Sequence, residues 1–509
     1  METSLILTVT GALLLLGVFS SKLSSRFNMP ILLMFLAVGM ACGSDGFGLA
    51  IGREQVTGIN FLGTVAMCFI LFSGGLDTSF KNIRPVLVPG IVLATAGVLV
   101  TAGVLGIGAM LLFRENWKIC LLFGAIVSST DAAAVFAILR SKGVSLKGHL
   151  RGLLELESGS NDPMAAFLTI FMLDIVTGGA VSPWLFIPQL LAKMLIGISI
   201  GVVFGKAGAW VFNRLKLEYE GLYLVCSAAI VIFAYGVAEI CFGSGFMAVY
   251  VCGLFMGNLR YNYQKGICRF TDGLAWLMQV ALFTALGLLV KPHELLDYRI
   301  WVGGIALSLV LMLVARPAAV FLCSSFFKFS IQEKTLVSWV GLRGAAPIVL
   351  ATFPLVRDVP NAGLMFNMVF FIVLSSVILQ GRTLMPMARL LKLDKPLNDR
   401  SRAPLELEHT DQISGETHEF DVTENSSAID KTLAELNLPH TVLVMLIRRN
   451  KKFILARGNT KIHLGDGMLM MGDREYLQEV ASKFFPDDET FNKTQEIMFK
   501  NKKTRTLFG

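Results

Sequence analysis

The 509-residue chain is 54% hydrophobic, only 16% charged, and carries a formal net charge of +8. Soluble domains hold about 25% charged residues, so a single water-soluble globule is excluded. Apolar stretches of about 17 residues or more recur as far as position 390, the pattern of a polytopic helical membrane protein. Positions 401–509 hold 15 basic and 17 acidic residues, so the positive charge belongs to the membrane part. Its Lys and Arg sit in short loops between apolar runs, which argues against a nucleic-acid polymer as partner. The eight cysteines are scattered without a CxxC pair, suggesting neither a disulfide framework nor a zinc site.

Thirteen spans are expected, over 4–20, 29–43, 58–74, 85–113, 117–139, 150–176, 183–212, 221–242, 243–257, 274–290, 298–325, 335–355 and 364–379. With the N-terminus outside, the inside loops hold 15 Lys and Arg against 6 outside. The positive-inside rule therefore supports an odd span number and a cytoplasmic C-terminus. Merging the eighth and ninth spans would break this alternation for every later loop. The expected division is a membrane domain over 1–393, a linker over 394–415, a small α+β cytoplasmic domain over 416–490 and a basic tail over 491–509. Within the small domain, strands are expected at 419–423, 441–448, 453–457 and 468–471, and helices at 428–436 (Ser427 as its cap) and 474–484. The fold class is thus all-α polytopic with inverted repeats and two interrupted helices, plus the α+β domain.

Ionisable groups at bilayer depth cost about 2.5–3.5 kcal/mol each, which makes them functional suspects. The sixth span carries Glu155, Glu157, Ser158, Asn161 and Asp162, followed by Pro163. Entering from Leu150 at ~1.5 Å per residue, the helix brings Asp162 about 18 Å deep, near mid-membrane. Ser158 and Asp162 are four apart, as are Glu157 and Asn161, so these groups share one side. Pro163 has no N–H and leaves the Gly159 carbonyl available to a cation. A polar knot that only holds helices together would not need two acids, an amide, a hydroxyl and a freed carbonyl at one depth. The fifth span contains Ser128-Ser129-Thr130-Asp131 and the twelfth Gly341-Leu342-Arg343-Gly344. Irregular backbone inside a membrane survives only around a cavity, and interruptions at matching positions of two halves point to an inverted-repeat transporter site. Arg343 needs a buried acid, and Glu157 is the expected partner, leaving Asp162 for ligand. Arg316 is expected to snorkel inward.

Glu157-Ser158-Gly159-Ser160-Asn161-Asp162-Pro163, Ser129-Thr130-Asp131-Ala132-Ala133 and Gly341-Leu342-Arg343-Gly344 together resemble the monovalent cation:proton antiporter family, closest to its bacterial NhaP-like potassium/proton branch. The C-terminal part, with Leu464-Gly465-Asp466-Gly467 before a strand, resembles the C-terminal lobe of potassium-conductance regulator (RCK-C, TrkA-C) domains. The resemblance implies electroneutral exchange of a monovalent cation, potassium before sodium, for a proton across the bacterial inner membrane by a homodimer. It assigns Asp162 as the carboxylate that holds cation or proton in turn, so the transported K⁺ or Na⁺ would sit at Asp162, Ser158 and Thr130. Asn161 shapes the site, and Glu157, Arg343 and Asp131 support it. Many relatives have an acid in the third span where this chain has Ser73. No GxGxxG is present, so a dinucleotide cofactor is not expected; the expected partners are the bilayer, a second copy and a small anionic or nucleotide regulator near Arg448, Arg449, Lys451 and Lys452. No redox, nucleophilic or phosphate-cradling motif suggests an enzyme. A ligand-gated channel, the rival class, would need a carbonyl-rich filter loop that the sequence lacks.

Overall fold

The computed structural model describes residues 4, 8, 10–19, 31–46, 53–178, 183–215, 217–396, 416–449 and 452–486. The chain divides into two compact units, one holding the apolar helices and the other the C-terminal sheet. In chain order the first unit contains α1 (Thr10–Phe19), α2 (Ile31–Cys42), α3 (Arg53–Asp77), α4 (Phe80–Phe113), α5 (Trp117–Val127), α6 (Ala132–Ser141), α7 (Leu150–Val176), α8 (Phe186–Arg214), α9 (Glu220–Ile240), α10 (Gly245–Asn258), α11 (Gln264–Leu289), α12 (Tyr298–Ser324), α13 (Ile331–Trp339), α14 (Ala345–Val356) and α15 (Ala362–Leu390). Among the described residues eight helices are long and apolar enough to cross a membrane, with α5 and α6 read together as one of them. Helices α1, α2, α10 and α14 are shorter apolar helices. Helix α7 has the length, 27 residues, but carries the ionisable cluster. The chain is a mostly helical polytopic membrane protein.

Two pairs of helices are interrupted end to end. Residues 128–131 are unwound between α5 and α6, and residues 340–344 between α13 and α14. The two gaps meet: the Asp131 N–H donates to the Leu342 carbonyl (2.8 Å). Asp131 also caps α6, accepting from the Ala134 N–H (3.0 Å). Gly344 is required at the crossing, because a Cβ there would collide with the Asp131 carboxylate. Helix α15 closes the second gap from behind, with the Gln380 amide donating to the Trp339 carbonyl (2.9 Å) and Ser376 Oγ accepting from the Arg343 N–H (3.2 Å). Such partners replace the bonds that an unwound membrane segment cannot obtain from water. Turns of π-helix occur in α4 (Leu93–Gly97) and α12 (Leu311–Ala315), the second ending directly before Arg316.

The start of the expected linker is ordered strand instead. β2 (Asp394–Pro396) pairs antiparallel with β1 (Val144–Leu146), in the loop joining α6 to α7. The Lys147 N–H and Nζ extend the clip to the carbonyls of Leu393 and Lys392 (both 2.9 Å). Residues 397–415, the rest of that linker, lie outside the described residues, as do 487–509 with the expected basic tail.

The second unit is a four-stranded antiparallel sheet in the order β3 (Glu416–Asp421), β6 (Gly467–Gly472), β4 (Leu443–Arg449), β5 (Lys452–Leu455). Helix α16 (Arg474–Phe484) buries Leu477, Val480 and Phe484 against Phe420, Met468 and Met470. The expected helix over 428–436 does not form; that stretch is a series of turns with one bridge from Thr432 to Lys461. Asp430 takes a left-handed backbone (φ 64°), which no helix tolerates. Ser427, expected to cap it, donates to the Lys483 carbonyl (3.0 Å), and Ser426 to that of Phe484 (2.6 Å), satisfying the open end of α16.

Asp466 is buried behind the turn at Gly465 and receives Nε and Nη2 of Arg449 (2.9 and 2.7 Å) and the His463 N–H (2.9 Å). Burial raises its pKa, but the Arg449 and His463 hydrogen bonds and the guanidinium charge outweigh that and hold it below the usual carboxylate value. A lowered native pKa stabilises the fold above the unfolded value and ceases to do so as pH falls through the native one. Asp466→Asn in the full chain is therefore expected to destabilise the sheet unit at pH 7 by roughly 1.5–3 kcal/mol. The difference from wild type should fade as pH falls below the ordinary Asp value of about 3.9 and on through the lower native one. Pulse proteolysis of the C-terminal unit measures both.

Candidate functional site

Helix α7 staples the first gap from the side. Ser158 Oγ donates to the Thr130 carbonyl (2.8 Å) and accepts from the Ala132 N–H (2.9 Å), while Asn161 Nδ2 donates to Thr130 Oγ1 (2.6 Å). Thr130 and Ser158 are thus brought together with Asn161, chiefly as partners of one another. Asp162, one residue on, is different: its Oδ1 is buried and makes no hydrogen bond among the described residues. Its carboxylate lines two cavities. The larger, about 160 Å³, is bounded by Asp162, Ser158, Gly159 and Tyr250 and continues past Asp77 and Glu155 to Arg140 and Arg151. The smaller, about 50 Å³, lies among Ser129, Thr130, Asp131, Asp162 and Gly344. The Tyr250 ring packs on Gly159 so closely that a Cβ there would enter it.

The expected Glu157–Arg343 pair does not form. Glu157, 1% exposed, is paired with Arg316 Nη1 at 2.5 Å, and Arg316 is itself buried rather than snorkelling. Arg343 Nη1 donates to the carbonyls of Ser128 (2.8 Å) and Ser129, at the open end of α5. A helix C-terminus carries unpaired carbonyls and partial negative charge, so it takes the guanidinium without needing an acid. Arg316 follows the π turn of α12 and reaches Glu157 in its place. Ser73, standing where an acid was expected, donates to Asp272 Oδ1 of α11 (2.7 Å). The carboxylate partner on a distant span gives no signal in the local motif, which is why sequence reasoning missed Asp272.

The basic residues expected to hold an anion are differently placed. Arg448 bonds Glu419 (2.6 Å) and Asp421 (2.7 Å), and Arg449 bonds Asp466 and the Lys461 carbonyl. Both guanidinia are therefore engaged by carboxylates of their own sheet. Lys452 is exposed at the start of β5, and Lys451 lies outside the described residues. Among the described residues no three His, Cys, Asp or Glu side chains gather as a metal cage. What the membrane site offers is a buried carboxylate with hydroxyl, amide and carbonyl oxygens around it, a hard donor set suited to an alkali cation or a proton.

Residues 11–390 match the family described as sodium/hydrogen exchanger, transmembrane, and residues 417–484 match the TrkA-C domain. The chain is 38% identical over 471 residues to the K(+)/H(+) antiporter NhaP of Alkalimonas amylolytica, covering 92% of this chain and 81% of that one. It is 38% identical over 488 residues to the K(+)/H(+) antiporter NhaP2 of Shewanella sp. (strain ANA-3), covering 94% and 83%. Among solved structures, the sodium proton antiporter MjNhaP1 from Methanocaldococcus jannaschii shares the fold with a TM-score of 0.67 at 24% identity, covering 77% of this chain and 100% of that one.

The Arg316–Glu157 pair makes a specific energetic prediction. Removing either partner alone, as Arg316→Gln or Glu157→Leu, should cost about 3–5 kcal/mol, while removing both should recover much of it. A double-mutant cycle on thermal unfolding in detergent should give a coupling of more than about 1 kcal/mol for Glu157 with Arg316. The cycle of Glu157 with Arg343 should give a clearly smaller coupling.

Proposed function

Given that the chain belongs to the sodium/hydrogen exchanger family and is a monovalent cation/proton antiporter, not an enzyme, we propose that it exchanges K⁺ for H⁺ at a single carboxylate, Asp162. The observation that carries this reading is the buried Asp162 oxygen, without a well-formed hydrogen bond among the described residues, on a residue that lines two cavities. A carboxylate there holds either a proton or an alkali cation, and access from alternate sides turns that competition into exchange. Thr130, Ser158 and Asn161 shape the site; Asp131, Arg343 and the Glu157–Arg316 pair hold its walls. Potassium is chosen over sodium because the two potassium/proton antiporters above cover nearly the whole chain. Sodium exchange by the same route is the reading it displaces.

One titrating acid implies one proton per cation and no net charge moved, since the charge of Glu157 is balanced by Arg316. The thirteen-span arrangement, with the N-terminus outside and the small domain in the cytoplasm, is part of this proposal. It is supported by eight long spans, four shorter apolar helices and α7. Two inverted repeats, spans 1–6 and 8–13, are supported by gaps in the fifth and twelfth spans and π turns in the fourth and eleventh. A homodimer in the bacterial inner membrane is supported by the broad apolar faces left open on α8 and α9, including Leu191, Leu195, Val225 and Phe233. The domain over 416–490 regulates exchange, and its ligand remains a small cytosolic anion or nucleotide held by groups other than Arg448 and Arg449. The β1–β2 clip supports that role, because Val144 and Ser145 line the larger cavity and β2 starts the connection to that domain.

In proteoliposomes, K⁺ flux driven by a pH gradient should be abolished in Asp162→Asn while the protein still folds, and should not respond to membrane potential in wild type. Normal flux in Asp162→Asn rules out the site; potential-dependent flux rules out electroneutrality. Truncation after Pro396, which keeps the clip, should preserve exchange and shift its pH profile or apparent cation affinity by about fivefold or more, the usual size of effector coupling. Complete loss of exchange in an inserted, truncated protein would make the C-terminal domain part of the transport machinery.

A further inference from the structure

The smaller cavity beside Asp162 has a wall that neither the interrupted helices nor α7 supply. Gln279, on α11, lines it together with Ser129, Asp131 and Asp162. Ser129 is wholly buried, and its Oγ, which lies beside the Asp162 carboxylate, has no other hydrogen-bond partner among the described residues. Gln279 has no hydrogen-bond partner among the described residues either. By contrast, the Ser158 hydroxyl both donates and accepts within the staple, and Thr130 Oγ1 already accepts from Asn161. Besides the Asp131 carboxylate, whose Oδ1 caps α6, the side-chain oxygens on this side of Asp162 that lie outside the staple are those of Ser129 and Gln279. A buried polar group with its hydrogen bonds unmet is costly, and the Ser129 hydroxyl beside Asp162, with the half-buried Gln279 amide on the same cavity, marks a place for something that supplies the missing contacts.

We propose that Gln279 and Ser129 complete an enclosed cation pocket with Asp162, and that the Gln279 amide oxygen determines which alkali ion the antiporter prefers. The inference rests on the reading of Asp162 as the exchange site. At about 50 Å³ the cavity admits an ion with only a few waters, so most of the hydration shell must be replaced by protein oxygens. Amide and hydroxyl oxygens are neutral donors of weak field, which offset dehydration more nearly for K⁺ than for the smaller, more strongly hydrated Na⁺. The placement on α11 matters as well. Gln279 belongs to a different helix from every other oxygen in the pocket, so movement of α11 relative to α7 would open or close the shell without disturbing the Thr130 staple.

The test compares wild type, Gln279→Leu, Gln279→Glu and Ser129→Ala in proteoliposomes, with K⁺ and Na⁺ assayed separately and Asp162→Asn run alongside. Gln279→Leu should raise the apparent KM for K⁺ about tenfold, the size of one lost charge-assisted contact, with the maximal rate within about twofold. Its K⁺/Na⁺ preference should fall. Gln279→Glu, by adding a strong-field oxygen, should move preference toward Na⁺. Ser129→Ala removes a single atom and keeps the test decisive if the larger substitutions fail to insert; it should raise KM for K⁺ in the same direction. A general loss of packing would lower the maximal rate for both ions and leave their ratio unchanged. Wild-type KM values and ratio in all folded variants, with Asp162→Asn inactive, overturn the pocket while leaving the exchange site standing. Activity in Asp162→Asn overturns the exchange site itself.

Discussion

The guanidinium of Arg343 is the pivot on which the membrane site depends. It is fully buried and bonds the carbonyls of Ser128 and Ser129 just past the end of α5, the point where the first interrupted helix loses its own hydrogen bonds. On the opposite strand of the same crossing, the Asp131 N–H bonds the Leu342 carbonyl. Each unwound segment thus supplies what the other lacks, and neither could exist against lipid alone. With the gaps locked together, α7 can be stapled across Thr130 by Ser158 and Asn161, and Asp162 is left with a buried Oδ1 that finds no well-aligned donor among the described residues. The site lies where that lock leaves the Asp162 carboxylate facing the two cavities.

The charged groups around that carboxylate are each engaged by a particular partner. Glu157 is matched by Arg316, Arg343 by carbonyls, and Asp131 by the N-terminal N–H groups of α6. Burying an ion pair seldom adds net stability compared with apolar packing, so the Glu157–Arg316 pair is better understood as removing a second titrating charge from beside Asp162. The β1–β2 clip adds a mechanical element: it fixes the loop between α6 and α7, the two helices that carry the site, to the segment leaving α15. Val144 and Ser145 of β1, which pair with Pro396 and Lys395, line the larger cavity.

Much of this was legible in the amino-acid order because membrane helices make polar exceptions conspicuous. Ser128–Asp131, Gly341–Gly344 and the Glu157–Asp162 cluster stand out against apolar surroundings, and the structure places all three at one crossing. The partner of each charge was not legible. Glu157 chose Arg316 over Arg343 because a π turn in α12 precedes Arg316 and because an open helix end could accept Arg343, neither of which leaves a trace in composition. Likewise the residues over 428–436 have helical propensity, but a left-handed Asp430 and hydroxyls drawn to the end of α16 made turns instead. Arg448 and Arg449 read as a ligand-binding pair only until their sheet neighbours Glu419, Asp421 and Asp466 are known. Local chemistry is written in sequence, whereas the choice among distant partners is made by packing.

The central claim is that one carboxylate, Asp162, is occupied by either a cation or a proton and never by both. It is tested most directly by adding K⁺ to the purified, weakly buffered protein near its half-protonation pH and measuring proton release with a soluble pH dye. The account predicts saturable release that never exceeds about one proton per chain, competition between K⁺ and acid for the same site, and no release from Asp162→Asn. Cation binding without proton release, or undiminished release from Asp162→Asn, would contradict it.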